Sequence, residues 1–409
     1  MITASRPLKI VLAPDSLKGS LPAAEAALAM SAGVRAAAAR LGHPEPFVVL
    51  APLADGGEGT LDALLAAWDA EPRIADCHDA LGRERRARYG ISTVQEGDTA
   101  VVRGVLEAAE ANGLPFVADL PLEPLAATSF GVGELAIALL DHGAEEILLC
   151  IGGSATTDGG VGLLSALGAR FLDAEGRPLP PGGGALGSLA SIDASHLHPR
   201  AAEVRWRIAV DVDNPLCGIR GAAAVFGPQK GAGPAEVAVL DAGLEHLARV
   251  VAAHTGTDML AVPGAGAAGG MPAVLVPFLG AEIVPGSTLV AEAVGLADAL
   301  ADADLVLTGE GSFDSQSLGG KVVQAVVESA PDTCAVVAIA GRVQLTAAEV
   351  QDAGLAAAFS IAPGPTTLDA LILDAAVLME DAAGQVYGVF GARPRQAQSS
   401  NRLTPPSAG

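Results

Sequence analysis

Six short apolar runs recur along the chain, and each closes in a polar, glycine-rich loop followed by a helical period. They are Lys9–Ala13, Phe47–Ala51, Glu146–Ile151, Asp304–Thr308, Ala335–Ala340 and Ala357–Ile361. Continuous apolar runs of this length suit strands buried on both faces, and the helices between them suit parallel crossovers. The pattern predicts an α/β fold in which all six runs join one doubly wound, Rossmann-like sheet. Leu61, Leu64, Leu65 and Trp68 form a helix-spaced stripe after the second run. Ser20 is expected to cap the first helix, with Pro22 in its first turn. The texture changes over 73–105, which reads as short strands with charged turns, and over 170–285, which is rich in Gly and Pro. These changes divide the chain into a discontinuous sheet domain (1–72, 125–169 and 286–390) and a second, smaller α/β domain (73–124 and 170–285). The smaller domain is inserted twice, with a cleft between the two. Residues 391–409 are rich in Gly, Pro, Gln, Ser and Arg, and are expected to be disordered.

The 24 basic and 47 acidic residues give a net charge of −23. That balance excludes nucleic acid and acidic membrane surfaces as partners, because both need clustered Lys and Arg. The uncharged stretch Met259–Ala281 holds three prolines and five glycines, which argues against a membrane span. The four cysteines have no paired spacing and no secretory signal is read, so a cytoplasmic protein with reduced thiols is expected. Homo-oligomerisation is left open.

The loops carry the chemistry. Asp15-Ser16-Leu-Lys18-Gly-Ser20 sets a carboxylate and a lysine before a helix start, where free N–H groups favour an anion. A plain helix cap reads equally well there. Asp55-Gly-Gly-Glu58-Gly59 separates two carboxylates by glycines, a spacing that suits Mg²⁺. Cys150 to Gly160 contains Gly153, Ser154, Thr156, Thr157 and Asp158, a nest able to cradle phosphate. Asp211 and Asp213 fall on one face if the chain stays extended, with Asn214 beside them. Lys230 is expected exposed on the tight turn Gly227–Gly231. Glu310, Asp314 and Lys321 surround another glycine-rich helix start.

Standard signatures are missing. Val322 follows Gly320-Lys321, so there is no Walker A motif. Gly264–Gly269 matches the dinucleotide fingerprint in letters only, because it follows Pro263 rather than a strand. The chain has only four lysines, Lys9, Lys18, Lys230 and Lys321, and three of them lie in these loops. Compact charges, carboxylates and glycine nests together point to phosphoryl transfer from a nucleotide with Mg²⁺.

At this point the sequence resembles the type I glycerate kinases over roughly residues 8–385. The shared motifs stand here as Asp15–Ser20, Pro52–Thr60, Ala127–Glu134, Ile151–Gly160, Asp211–Leu216, Phe226–Gly231, Pro263–Gly270 and Thr308–Asp314. The resemblance implies a two-domain α/β fold and ATP-dependent phosphorylation of D-glycerate to 2-phosphoglycerate. Three positions depart from the family pattern: Leu17 replaces the usual Phe, Phe130 the usual Tyr, and Thr157 the usual Asn.

The roles of single residues are read from their chemistry. Asp15, Ser16, Lys18 and Asn214 are candidates to bind substrate or phosphate, together with Gly153, Ser154, Thr156, Thr157 and Asp158. Asp211 or Asp213 accepts the hydroxyl proton or holds Mg²⁺, while Lys230 and Lys321 neutralise the moving phosphoryl group. Asp55, Glu58, Glu310 and Asp314 are the metal candidates. Two alternatives are a nicotinamide-dependent dehydrogenase of a small hydroxy acid and a non-enzymatic sugar-acid sensor.

Overall fold

The computed structural model describes residues 7–97, 99–314 and 322–391. The expected tail from residue 392 on lies outside the described residues, as does Lys321. In chain order the strands are β1 (Lys9–Pro14), β2 (Phe47–Leu50), β3 (Arg73–His78), β4 (Glu84–Glu96), β5 (Thr99–Glu107), β6 (Glu146–Cys150), β7 (Arg170–Leu172), β8 (Ser191–Asp193), β9 (Arg205–Ala209), β10 (Glu282–Val284), β11 (Leu305–Gly309), β12 (Ser312–Phe313), β13 (Ala335–Ala340), β14 (Arg342–Val343) and β15 (Ala357–Ser360). The helices are α1 (Ala23–Leu41), α2 (Thr60–Ala67), α3 (Ala108–Asn112), α4 (Phe130–Asp141), α5 (Val161–Ala166), α6 (Ala222–Phe226), α7 (Pro234–Thr255), α8 (Pro272–Leu279), α9 (Gly286–Ala293), α10 (Leu296–Leu300), α11 (Val322–Ser329), α12 (Ala347–Asp352), α13 (Leu368–Leu373) and α14 (Ala375–Phe390).

Two sheets dominate. The first is five-stranded and parallel, in the order β15-β13-β11-β1-β2. Counted along the chain this is the doubly wound order 2-1-3-4-5, whose switch point lies between β1 and β11. The second is six-stranded, in the order β10-β9-β6-β5-β4-β3, parallel from β10 to β5 and antiparallel beyond. One expectation is corrected here. The run Glu146–Ile151 does not join the first sheet, because β6 pairs with β5 on one side and β9 on the other. Burial on both faces marks a central parallel strand without saying which sheet it enters.

The strand period of two sorts the core into three layers. Ile10, Leu12, Leu305 and Leu307 face α1 and α14. Val11, Ala13, Val306 and Val336 point the other way, onto α2, α9 and α11. That middle layer is shared, because Val105, Leu148 and Ala209 of the second sheet pack into it as well. The far face of the second sheet (Leu106, Ile147, Leu149, Trp206, Ile208) rests on α4, α5, α7 and α8. Each fully buried Ile or Leu contributes about 1.5–3 kcal/mol of transfer free energy. Aromatics are scarce, so close backbone approach fills space instead. A Cβ at Gly33 of α1 would lie 1.9 Å from the Glu380 carbonyl oxygen of α14.

Two further details differ from the sequence reading. Pro22, not Ser20, stands at the N-cap of α1, and the Ser20 hydroxyl donates instead to the Ile372 carbonyl at 3.2 Å. Met259–Ala281 folds as loops and the short α8. Among the described residues no helix is long and apolar enough to cross a membrane.

Candidate active site

The carboxyl ends of both sheets open into one cleft of about 1060 Å³. Its wall comprises the loops after β1 (Ser16–Pro22), β2 (Asp55–Gly59), β5, β6 (Ile151–Ser154) and β9 (Asp211, Val212), with Phe226, Gln229, Lys230, Ala267 and Ala268. Two glycines let the sheets' loops touch. A Cβ at Gly56, which has φ +82°, would meet the Ala209 Cβ at 2.7 Å, and one at Gly286 would meet the Asp55 carbonyl at 2.1 Å.

On the first-sheet side, Asp15 leaves β1 at the switch point. Its N–H donates to the Gly309 carbonyl at 2.7 Å, and its carboxylate accepts the Ser16 N–H at 2.6 Å. Burial, then the charge of Asp55, pushes its carboxyl up to about 7 against the pull of Ser16 and Lys18, and Glu310 adds to the rise. Lys18 is largely exposed and its Nζ lies 3.1 Å from Asp55 Oδ2. Partial burial works against its charge, but the Asp55 carboxylate outweighs that and holds the ammonium above its ordinary range. Asp55 Oδ1 accepts the Gly57 N–H at 3.0 Å. Glu58 also lines the cleft, whereas Asp314 follows β12 outside the lining.

On the second-sheet side, the sequence expectation for Lys230 is corrected. Lys230 is 3% exposed. Its Nζ donates to the Thr156 carbonyl at 2.6 Å and to Ser154 Oγ at 3.2 Å. Burial lowers its ammonium to about 8, partly offset by the charge of Asp158. The turn Gly227–Gly231 folds inward because a 3-10 helix, Pro228–Lys230, carries the side chain under the β6 loop.

The nest after β6 is only partly a cradle. Ile151 to Ser154 line the cleft, while Thr156, Thr157 and Asp158 are fully buried beneath it. Asp158 is saturated: Oδ2 accepts from Ser129 N (2.8 Å), Ser129 Oγ (2.9 Å) and Gly162 N (3.2 Å), and Oδ1 from Gly160 N (3.1 Å). It joins the starts of α4 and α5. Thr157 Oγ1 has no hydrogen-bond partner among the described residues.

Asp211 and Asp213 separate, because the extended strand stops at Ala209. Asp211 lines the cleft and its Oδ1 accepts the Gly286 N–H of α9 at 2.7 Å. Asp213 turns outward to Arg220, with both oxygens at 2.8–2.9 Å, and the Asn214 amide donates to the Arg220 carbonyl at 2.7 Å. Neither residue lines the cleft.

The sequence reading missed two residues of the wall and one beneath it. Glu107 ends β5, and its Oε1 accepts the Leu61 N–H at 2.7 Å. Burial raises its carboxyl to about 7. The only sequence signal was a carboxylate closing an apolar run. Arg88 bridges Asp62 at 2.8 Å and Glu110 at 2.7 Å on the same wall. Asn112 is buried below it and donates from Nδ2 to Thr156 Oγ1 at 3.1 Å. Among the described residues no three His, Cys, Asp or Glu side chains group as a protein-only metal site.

Comparison with known proteins decides what this cleft belongs to. A model of the glycerate kinase family matches residues 10–391. The chain belongs to the glycerate kinase family. It is 44% identical over 363 residues to the glycerate 2-kinase of Escherichia coli K12, covering 88% of this chain and 92% of that one. It is 41% identical over 378 residues to a glycerate kinase of Halalkalibacterium halodurans, covering 92% and 97%. A crystal structure of a candidate glycerate kinase 2 from Salmonella typhimurium LT2 superposes with a TM-score of 0.84 at 42% identity, covering 94% of this chain and 99% of that one. The chain is therefore a kinase, and the dehydrogenase and sensor alternatives find no support among these relatives. As a glycerate kinase it takes ATP and glycerate as small-molecule substrates. Of the positions that depart from the family pattern, Leu17 is buried against Leu21, Phe130 starts α4 with its ring in a T-shaped contact with His78, and Thr157 is the buried orphan hydroxyl.

Proposed function

We propose that this protein transfers the γ-phosphoryl group of ATP to the 2-hydroxyl of D-glycerate in this cleft, giving 2-phosphoglycerate and ADP. The observation that carries the reading is the buried Lys230 ammonium. It has three donors, and the described residues accept two of them, through Ser154 and Thr156. A third remains for an anion in the cleft that Lys230 lines. Preorganised positive charge in a site shielded from water is the main resource for stabilising a transferring phosphoryl group.

Asp211, oriented by the Gly286 N–H, takes the proton of the 2-hydroxyl as its oxygen attacks phosphorus. The bond to the β–γ bridging oxygen breaks and ADP leaves. Lys18, at the cleft mouth, draws the anionic reactants inward past the net charge of −23. Lys321, from its glycine-rich loop, is assigned to the same phosphate.

Mg²⁺ fits the first-sheet wall. Asp55 and Glu58 on that wall supply hard oxygen donors, and Asp15 is raised to about 7 partly because Asp55 and Glu310 repel its charge. A divalent cation relieves that repulsion. Mg²⁺ takes one or two protein carboxylates and completes its shell with water and phosphate. When bound it neutralises charge on the β- and γ-phosphates. We place the enzyme in the cytoplasm, supported by four free cysteines.

The test is purified enzyme with ATP, Mg²⁺ and D-glycerate, coupled through enolase and pyruvate kinase with no mutase present. Pyruvate formation is expected. ADP release with pyruvate appearing only after a mutase is added would move the product to 3-phosphoglycerate and overturn the reading.

A further inference from the structure

The segment after β5 clamps the loop that holds both acceptors of Lys230. Residues 112–114 lie antiparallel to 153–155. The Ala155 N–H donates to the Asn112 carbonyl at 2.8 Å, the Leu114 N–H to the Gly153 carbonyl at 3.1 Å, and Gly113 bridges Ser154. The Asn112 side chain, 0% exposed, adds the hydrogen bond from Nδ2 to Thr156 Oγ1. Lys230 holds the same two residues, through Ser154 Oγ and the Thr156 carbonyl. Asn112 thus reaches Lys230 through one intervening residue without touching the cleft itself.

A second observation marks the spot. Asn112 Oδ1 and Thr157 Oγ1 are both buried without a hydrogen-bond partner among the described residues. Thr157 stands where the family resemblance calls for Asn, and the Asn112 amide bonds its neighbour Thr156 rather than Thr157. A buried amide left half-satisfied costs free energy. It is tolerated where the remaining hydrogen bond fixes something the protein needs.

We propose that Asn112 is the positioning residue for Lys230: by locking the Thr156 side chain it fixes the carbonyl that aims the ammonium into the cleft. This rests on the reading that Lys230 acts in phosphoryl transfer. Loss of the Asn112–Thr156 bond lets the Thr156 peptide rotate. The ammonium then loses its best acceptor, and its position in the transition state degrades more than substrate binding does.

The test compares Asn112→Leu, which is nearly isosteric and cannot hydrogen-bond, with Thr156→Val, which removes the same bond from its other end, in the full-length enzyme. Both are expected to lower kcat about tenfold or more while changing KM for ATP and D-glycerate less than about threefold, as loss of an interaction made in the transition state does. The alkaline limb of the kcat pH profile is expected to move in both. The double variant is expected to be no worse than the poorer single variant, because one bond cannot be lost twice. Asn112→Asp, which sets a carboxylate near the ammonium, is expected to move the alkaline limb to higher pH. If Asn112→Leu fails to fold, Thr156→Val and Asn112→Asp carry the test. Wild-type kcat and an unmoved alkaline limb in the folded variants would overturn the proposal, as would additive losses. Lys230→Met serves as the control. Normal turnover in that variant overturns the role of Lys230 itself, whereas an inactive Lys230→Met beside a normal Asn112→Leu overturns only the role of Asn112.

Discussion

Lys18 and Lys230 face one cleft from opposite sheets, and their surroundings differ in kind. Lys18 is solvated and paired with Asp55 on a glycine-rich loop. Lys230 is buried, held by two neutral oxygens and backed by a clamped loop. An exposed ion pair is worth little and rearranges easily. A buried ammonium with neutral acceptors is costly to place, yet it meets an incoming anion without reorganising. The first-sheet wall therefore suits capture and metal binding, and the second-sheet wall suits the transition state.

Substitutions can break this contrast. The largest effect is expected for Lys230→Met, a loss of roughly 10³-fold in kcat with the fold retained, checked by steady-state kinetics and circular dichroism. A residual activity near wild type would make the two lysines equivalent. The wild-type enzyme should also lose activity above about pH 8, where Lys230 deprotonates. Its stability should move the other way. The folded lysine titrates below the unfolded one, so the unfolded chain binds more protons from about pH 8 up to the ordinary lysine range, and stability rises with pH across that window.

Asp211→Asn comes next, with an expected loss of about 10²-fold in kcat if the carboxylate is the base. Lys18→Ala should raise KM for ATP or glycerate about tenfold and leave kcat nearly intact, as removal of uniform binding does. A collapse of kcat would instead move Lys18 into the transition state. Asp15→Asn should raise Tm by a few degrees at pH 8 and by nothing at pH 3, measured without Mg²⁺. The sign follows from its raised carboxyl: the neutral form's contribution is complete below the ordinary value of 3.8 and is lost progressively as pH rises from there through about 7. Asp213→Ala should leave turnover within about twofold, because Asp213 pairs with Arg220 outside the cleft.

Much of this was legible in the sequence, for physical reasons. Parallel strands need unbroken apolar runs, so the positions of β1, β2, β6, β11, β13 and β15 could be read directly. The loops at their carboxyl ends are where an α/β sheet presents ligands, so Asp15, Lys18, Asp55, Ser154 and Asp211 could be found there. Sheet membership was not legible, because Glu146–Cys150 is as apolar as a strand of either sheet. Side-chain direction at loop residues was not legible either. Asp158 and Asp213 look as functional as Asp211 in sequence, but one is saturated by backbone donors and the other by Arg220. Lys230 looked exposed because a Gly-Pro-Gln-Lys-Gly turn usually is, and only the packing under the β6 loop reverses that. Asn112 carried no signal at all. A lone Asn at the end of a five-residue helix becomes informative only when its partner 44 residues away is known.

The register of β1 against β11 has a consequence for how the molecule is made. Ile10 pairs with Leu305, so the first strand synthesised sits in mid-sheet beside one that leaves the ribosome much later. At about 5–20 residues per second, the delay is on the order of 15–60 s. Through that interval β1 has β2 on one side and an open edge on the other, apolar from Ile10 onward. The second sheet, whose strands all lie between residues 73 and 284, is complete before β11 exists. The nascent chain thus carries an unfinished sheet beside a finished one, and a trigger-type chaperone holding the first 70 residues would act on the part of the molecule with the longest wait.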